Sequence, residues 1–512
     1  MLLEAKNLIA YDAVAGCGRA IQAVNPATDD TLAPIYREVS DVDFERAAAL
    51  AWSAFLQYRE LPGERRAQFL DAIASEIEAQ SETIIQRAML ESGLPQARLH
   101  GECARTCNQL RLFAAEVRQG EYLDIRIDKA LPERMPLPRP DIRSRKVALG
   151  PVAVFGAGNF PLAFSVAGGD TASALAAGCP VIVKAHNAHP GTSEWVGRAI
   201  QRAALQCNMP EGVFSLLYGA GNEIGRKLVS HPNIKAVGFT GSRAGGLALL
   251  GLAQARPEPI PVYAEMSSIN PVYLMPDALR TRNADIGQAL VAAMAMGAGQ
   301  FCTSPGVVFA VNGEGFEEFI DAARAALNRQ VPQTMLTPAI AQAFKNGVDT
   351  LAMHAGLLAQ GVDSGQPNQC RAHLFVTEGD DWAKNKPLQQ EVFGSSAVIV
   401  RCRDFEQMQA LTEQLEGQLT ASVHASEHDD LMILKKLVSQ LERKAGRILF
   451  NGFGTGVEVC SAMVHGGPFP ATSDARTTSV GTAAIERFLR PVCYQDVPNN
   501  ILPSVLASTK DV

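Results

Sequence analysis

Residues 147–155, VALGPVAVF, form an apolar run of strand length that ends in the glycine turn Gly156-Ala157-Gly158. Further apolar runs follow at regular spacing, and helical segments separate them. This alternation predicts a parallel sheet with helices on both faces, which binds ligands at the carboxyl ends of its strands. The predicted strands are 147–155, 181–185, 213–218, 236–239 and 260–264, and the predicted helices are 163–177, 193–207, 223–229 and 243–255.

The rest of the chain divides into three parts. Residues 8–40 read as short strands and turns, and residues 41–120 read as helices with apolar residues three and four apart. Four prolines between 132 and 140 exclude a helix or a central strand, so 121–147 is expected to be an extended arm. A second α/β unit is predicted over 266–455, with helices at 286–296, 316–327 and 404–415 and strands at 307–311, 397–400 and 447–450.

One thiol of the second unit lies in a loop that suits a nucleophile. Residues 297–306, GAGQFCTSPG, place Cys302 among small residues between a helical run and a strand-like run. Small residues let a substrate approach the backbone, and a backbone N–H can bind a developing oxyanion. The alternative is a small buried hydrophobe, as most free cysteines are. Asn159 and Glu265, each in a well-marked loop upstream, favour the nucleophile.

Composition excludes several classes of protein. The 512 residues, 47% hydrophobic and 19% charged, predict two or three domains with ample core. A net charge of −7 with both signs mixed predicts a small-molecule partner and no nucleic acid. No export signal and no long apolar stretch is seen, so we expect a cytoplasmic protein without a membrane partner. The ten scattered cysteines are expected to be reduced, and His186 and His189 lack a third ligand, so no metal site is predicted.

Seven motifs, in order, resemble those of the aldehyde dehydrogenase superfamily. The resemblance implies an α/β fold with a Rossmann-type parallel-sheet dinucleotide-binding domain (1–120 and 148–265) and a second α/β catalytic domain (266–475). It also implies a small β oligomerisation arm (121–147 and 476–512) and a homodimer or homotetramer. The motifs are GAGNFPL at 156–162, VK at 183–184, FTGS at 239–242, AEM at 264–266, GQFC at 299–302, EVFG at 391–394 and NG at 451–452.

The same resemblance implies the chemistry of NAD(P)-dependent oxidation of an aldehyde to a carboxylic acid. Cys302 would add to the carbonyl, and its own N–H and the Asn159 amide would hold the oxyanion. Glu265 would activate water to hydrolyse the resulting thioester. A lowered pKa would suit Cys302, but no histidine partner is evident in the sequence. Phe160, Phe301 and His465 are expected beside the substrate, with His465 in a loop that lines its entrance.

Cofactor binding is expected without the usual glycine loop, because Pro161 replaces the third glycine of GxGxxG. The resemblance places the pyrophosphate near a helix that starts at Ser242, and it places a ribose beside Lys184. Asn187 stands where NAD-preferring relatives often carry a glutamate, so either NADP or NAD is expected, with NADP accepted. The implied cofactor-binding residues are Lys184, Asn187, Gly241, Ser242, Glu391 and Phe393.

The substrate is expected to be a semialdehyde that carries a carboxylate. The chain is most similar to the branch of the family that oxidises 2-oxoglutarate semialdehyde. Arg105 would face the substrate tunnel and bind the carboxylate, although a solvated surface arginine is the alternative. A medium- or long-chain aliphatic aldehyde is the second hypothesis, with Ala163 and Ala167 one helical turn apart leaving room for it. The remaining alternatives are an acylating, coenzyme A-dependent dehydrogenase, a hydrolase with a cysteine nucleophile, and a relative that has lost catalysis.

Overall fold

The computed structural model describes residues 2–507; residue 1 and residues 508–512, the end of the predicted arm, lie outside the described part. The first part of the chain contains two short hairpins and then four helices. The predicted breaks at residues 61–63 and 93–95 separate these helices, and Gly93 and Gly120 end two of them with positive φ angles of 66° and 76°. The elements are β1 (Lys6–Ile9), β2 (Asp12–Ala15), β3 (Ala20–Val24), β4 (Thr31–Arg37), α1 (Asp41–Tyr58), α2 (Gly63–Glu78), α3 (Ser81–Ser92) and α4 (Gln96–Gln119).

A small antiparallel sheet and the first large sheet come next. The order β11-β10-β7-β8-β9-β1-β2 has five parallel strands at one side and the β1–β2 hairpin at the other. Its central strands are buried on both faces, which is why they read as continuous apolar runs. The elements are β5 (Arg126–Asp128), β6 (Ile142–Ala148), β7 (Val152–Phe155), α5 (Gly169–Ala177), β8 (Val181–Lys184), α6 (Pro190–Gln206), β9 (Phe214–Leu217), α7 (Glu223–Ser230), β10 (Ala236–Thr240), α8 (Arg243–Gln254) and β11 (Val262–Glu265).

The second large sheet has the order β15-β17-β18-β13-β12-β19-β20, and all its pairs are parallel except the β15–β17 edge. The second predicted α/β unit is thus confirmed. Its elements are β12 (Val272–Leu274), α9 (Pro276–Ala295), β13 (Val307–Val311), α10 (Phe316–Leu327), β14 (Gln333–Thr334), α11 (Pro338–His354), β15 (Gly356–Gln360), β16 (Gln369–Cys370), β17 (His373–Glu378), α12 (Gly379–Lys384), β18 (Ser396–Cys402), α13 (Phe405–Gln414), β19 (Gln418–His424), α14 (Leu431–Leu441) and β20 (Ala445–Phe450).

The last strand, β21 (Leu489–Gln495), pairs with β6, and β6 also pairs with β5, so these strands form the three-stranded arm. The proline-rich run stays on its surface: Met135 and Leu137 are 83% and 70% exposed. The predicted arm segment 476–512 differs in one respect. Its 3₁₀ turn Thr482–Phe488 packs on α5, because Ile485 and Phe488 are apolar and fully buried there.

Residues 163–168, which were predicted to begin a helix, are not helical. Helix α5 begins only at Gly169, and residues 160–168 form turns. The buried carboxylate of Glu102 accepts hydrogen bonds from the backbone N–H groups of Leu162 and Ala163, and this wraps the segment around Glu102. Ala163 and Ala167 are therefore not one helical turn apart. Both are at most 2% exposed, so they pack in the core.

Candidate active site

The thiol loop is held in place by backbone geometry and by one asparagine. Gly297, Ala298 and Gly299 all have φ near +60°, and a Cβ at Gly299 would stand 2.3 Å from the backbone of Gly394. Asn270 Nδ2 donates to the carbonyls of Cys302 and Ser304 at 2.8 and 2.9 Å. These restraints fix the nucleophile between the two large sheets.

Cys302 lies against a histidine and a glutamate. Its Sγ is 3.4 Å from Nε2 of His465, and the same Nε2 is 2.9 Å from Oε1 of Glu265. Ser479 Oγ donates to the other oxygen of Glu265 at 2.9 Å. The three donor atoms of Cys302, His465 and Glu265 all lie within 4.8 Å of one another. Because the same Nε2 faces both groups, it can accept the thiol proton only in the tautomer that carries the ring hydrogen on Nδ1, and it can then donate that proton to the carboxylate.

His465 therefore occupies a different place from the predicted one. It is buried between nucleophile and carboxylate, at 1% exposure, and does not line the entrance. The backbone carbonyl of His465 accepts from the N–H of Ser479, and the backbone N–H of His465 donates to Thr478 Oγ1. These two bonds anchor the loop. The thiol has the histidine partner that the sequence did not reveal, because the two residues are far apart in the chain.

The surroundings of Cys302 disfavour the charged thiolate form of its side chain. Burial raises the pKa of Cys302 well above its ordinary value, and the Glu265 carboxylate raises it further; Arg105 opposes both. The lowered pKa that would suit Cys302 is thus not found. Burial also raises the pKa of Glu265, but His465 and Ser479 more than offset this, so that pKa lies below its ordinary value. The carboxylate is charged and the thiol needs a base.

Asn159 follows β7 and reaches the same loop from the first sheet. Its Nδ2 donates to the carbonyl of Gln300 at 2.8 Å, and its own carbonyl accepts from Arg98 at 2.8 Å. The Arg98 guanidinium lies over the rings of Phe160 and Phe301, at 4.9 and 4.7 Å from their centroids. Phe160 and Phe301 thus hold Arg98 in place, and Arg98 in turn holds the backbone at Asn159. The amide of Asn159 and the thiol of Cys302 border the same cavity.

That cavity has a volume of about 410 Å³ and brings most of the predicted site residues together. Apolar side chains from the second unit, among them Leu336 and Ile340, form its other wall. A mostly apolar cleft with a few convergent polar groups is the usual form of a cofactor or substrate site. The predicted residues that line it are Asn159, Phe160, Gly241, Ser242, Glu265, Cys302, Glu391 and Phe393.

The residues expected to hold the cofactor fit a dinucleotide. Ser242 caps α8 by accepting from the N–H of Gly245, so the amino end of a 12-residue helix borders the cavity, as a pyrophosphate requires. Lys184 Nζ donates to Asn187 Oδ1 at 2.8 Å, and burial lowers its pKa to about 8. Burial raises the pKa of Glu391 to about 8.

Arg105, on α4, is close enough to Cys302 and Glu265 for their charges to interact, although it is not among the residues that line the catalytic cavity. Its guanidinium lies 5.2 Å from the ring centroid of Phe164, and its Nε and Nη2 are buried without a hydrogen-bond partner among residues 2–507. Burial lowers the pKa of Arg105, while nearby Glu102, Cys302 and Glu265 oppose this. The alternative of a solvated surface arginine is therefore wrong.

The comparisons with known proteins define the class. The chain belongs to the aldehyde dehydrogenase family, whose pattern matches residues 13–472. It is an oxidoreductase of aldehydes with the predicted fold. No helix among the described residues has the length and apolar character needed to span a bilayer.

Individual relatives are similar over nearly the whole chain. Alpha-ketoglutaric semialdehyde dehydrogenase 2 of Azospirillum brasilense is 53% identical over 99% of this chain and 97% of its own length. Alpha-ketoglutaric semialdehyde dehydrogenase of Acinetobacter baylyi is 47% identical over 98% and 95%. A solved structure of 1-pyrroline-5-carboxylate dehydrogenase from Thermus with bound NAD has a TM-score of 0.82 at 18% identity, over 96% of this chain and 92% of that one.

Proposed function

We propose that the protein oxidises 2-oxoglutarate semialdehyde to 2-oxoglutarate with NADP or NAD. The observation that carries the substrate is the Arg105 guanidinium, which keeps two buried N–H groups without a partner in the described part of the chain. A substrate carboxylate would satisfy both groups at once. The names of the two relatives that are 53% and 47% identical support the same substrate.

Arg105 shares one charged face of α4 with two other ionisable residues, whose described hydrogen bonds differ from its own. Arg98, Glu102 and Arg105 are four and three residues apart, so they lie along one side of the helix. Arg98 is used by the Asn159 carbonyl, and Glu102 by two backbone N–H groups. Arg98 keeps one buried nitrogen, Nη1, without a partner among residues 2–507, whereas Arg105 keeps two, and it is the charge of Arg105 that acts on the Cys302 thiol.

The first chemical step is addition of Cys302 to the aldehyde carbonyl. His465 Nε2, 3.4 Å from the sulfur, takes the thiol proton as the carbon–sulfur bond forms; this requires the tautomer with the ring hydrogen on Nδ1, and the protonated Nε2 then donates to Glu265. The carbonyl oxygen becomes an oxyanion that accepts from the Asn159 amide and the Cys302 N–H. One such donor contributes about 10² to 10³ in rate.

Cofactor binding is assigned to Lys184, Asn187, Ser242, Glu391 and Phe393. When NAD(P) is bound, its nicotinamide is the hydride acceptor that conversion of the Cys302 adduct to a thioester requires. Lys184 attracts a 2′-phosphate, and the neutral Asn187 side chain does not repel it, so NADP is accepted.

Hydrolysis completes the reaction. Glu265 is charged and buried, and it accepts from Ser479 and contacts His465. It takes a proton from the attacking water, the carbonyl carbon gains the hydroxyl group, and the carbon–sulfur bond breaks. Cys302 leaves as a thiolate and recovers the proton through His465. The product is the carboxylic acid, and free coenzyme A is not needed.

A homodimer or homotetramer in the cytoplasm remains part of the proposal. The arm is supported as an interface by its exposed apolar side chains, and α14 with the edge strand β20 offers a second apolar face. Leu431, Met432 and Phe450 there are 62%, 72% and 47% exposed. Apolar surface of this kind is typical of contacts between copies.

Product analysis tests the proposal. The purified protein with the semialdehyde and NADP should form 2-oxoglutarate and reduced cofactor in equal amounts, unchanged by added coenzyme A. A dependence on coenzyme A would favour an acylating enzyme. No cofactor reduction with this substrate, but reduction with nonanal, would overturn the substrate and keep the reaction.

A further inference from the structure

A second cavity, of about 490 Å³, shares no lining residue with the catalytic one. It lies between α2, the end of α4 and the arm strands β6 and β21, and we call it the arm pocket. Its walls carry several basic side chains, including Arg66 and Arg145, together with apolar ones such as Leu61 and Val117. This volume is in the range of small-molecule sites.

Arg66 is the most unusual group in the arm pocket. It is 7% exposed, yet its described hydrogen bonding consists of one bond from Nη2 to the Tyr122 hydroxyl at 2.5 Å, and its Nε is buried without a partner. Other buried arginines differ. Arg487 pairs with Asp170 at 2.8 Å, and Arg256 donates to three backbone carbonyls. A buried cation without an anion is costly, so Arg66 requires a partner.

Arg145 adds a second uncompensated charge. Its Nε is buried and has no partner among residues 2–507. The three other cations of the pocket are already neutralised: Arg59 bonds Glu60 at 2.9 Å, Arg118 bonds Glu64 at 2.9 Å, and Lys146 bonds Glu486 at 2.5 Å. The pocket therefore carries two positive charges in excess.

The amino end of α2 opens into the same space. This helix has 16 residues and begins after Pro62, which provides no side-chain cap. Pro62, Gly63 and Glu64 line the pocket, so the uncapped N–H groups and the positive end of the helix dipole face it. Two guanidinium groups and a helix amino terminus are a favourable environment for a phosphate group.

The carboxyl end of α5 lies near Arg66 and partly balances its positive charge. A Cβ at Gly178, which ends α5, would stand 2.6 Å from Nη1 of Arg66. The dipole there contributes about half a negative charge, but it leaves Nε without an acceptor. It also does nothing for Arg145.

We propose that the arm pocket binds the phosphate group of a small anionic metabolite, separately from the catalytic site. Arg66, Arg145 and the amino end of α2 hold the phosphate, and the apolar wall contacts the rest of the molecule. Inorganic phosphate would bind through the same groups, but more weakly than a phosphate ester that also reaches this wall.

Calorimetric titration of the full chain tests the proposal. Inorganic phosphate and glycerol 3-phosphate would be titrated at constant ionic strength, with chloride as the background and succinate as a carboxylate control. Both phosphates should bind, and succinate should bind less tightly. Arg66→Met and Arg145→Met should each weaken phosphate binding about 10- to 100-fold, the effect of losing a hydrogen bond to a charged group.

Arg118→Met is the matched control, since it removes a cation of the same pocket that already has carboxylate partners. It should change phosphate affinity by less than about 3-fold. Unaltered aldehyde oxidation in all three variants confirms that they fold. Absence of phosphate binding, tighter binding of succinate, or binding unchanged by both Arg66→Met and Arg145→Met would overturn the proposal.

Discussion

Replacing Arg105 by Met should separate carboxylate-bearing from plain aldehydes. The side chain keeps its apolar stem but loses two buried nitrogen donors that have no partner among residues 2–507. Each hydrogen bond to a charged acceptor contributes about 1.5 kcal/mol at the lower end of its range. Loss of both amounts to about 3 kcal/mol, or about 150-fold in kcat/KM. Because the carboxylate is bound before and during reaction, most of the loss should fall on KM.

Initial rates of cofactor reduction would be measured with 2-oxoglutarate semialdehyde and with nonanal. Nonanal controls for the small effect of Arg105 on the Cys302 pKa, since both substrates share that thiol. Arg111→Met is the control variant: Arg111 lies on the same helix and pairs with Glu78 at the surface. Equal losses for both substrates in Arg105→Met, or no loss for either, would refute the assignment of Arg105.

Three further predictions follow from the same site. His465→Gln should lower kcat about 10² to 10⁴-fold, because the base for Cys302 is lost. The rapid phase of cofactor reduction should then disappear, and an unchanged rapid phase would exclude His465 as the base. Lys184 has a pKa of about 8, so the KM for NADP should rise as pH increases through about 8, while the KM for NAD should change less. Lys184→Met should abolish this difference. Parallel pH profiles of the two KM values in the unmodified protein would contradict the assignment of Lys184. Micromolar Zn²⁺ should inhibit the enzyme, because Cys302, His465 and Glu265 supply three donor atoms within 4.8 Å of one another. In equilibrium dialysis, His465→Ala should bind Zn²⁺ more weakly than the unmodified protein. Equal retention of Zn²⁺ by the variant would argue against this site.

The sheets were predictable because local pattern and tertiary environment agree. Strands such as Val152–Phe155 are buried on both faces, so their sequence is apolar throughout, and helix Phe316–Leu327 ends at the predicted residues. Residues 163–168 were predicted wrongly as the start of the helix 163–177. The small apolar residues of this segment suit a helix, but the buried Glu102, far away in the sequence, takes the backbone N–H groups at its start.

The site was predictable in its parts but not in its contacts. The resemblance supplied Cys302, Asn159 and Glu265, and the structure gathers them around one cavity. His465 is 163 residues from Cys302, and no local pattern marks it as a partner of the thiol. Only the fold of the loop against β11 reveals that contact.

Charged groups in the core show the same limit. Helix periodicity cannot tell Arg105, which has two buried nitrogens without a partner among residues 2–507, from Arg98, which is held by a carbonyl and two rings and has one such nitrogen. Nor does any motif mark Arg66 and Arg145, which lie on different elements and meet only at the arm pocket. Long-range packing decides which cations keep unused donors.

Mass spectrometry of the Glu265→Gln variant, mixed with NADP and 2-oxoglutarate semialdehyde, tests whether oxidation passes through a thioester on Cys302. Without the carboxylate that activates water, the thioester should accumulate, and peptide mapping should find the acyl group of 2-oxoglutarate on Cys302. An adduct on another cysteine, or reduction of the cofactor with no acylated peptide, would contradict the account.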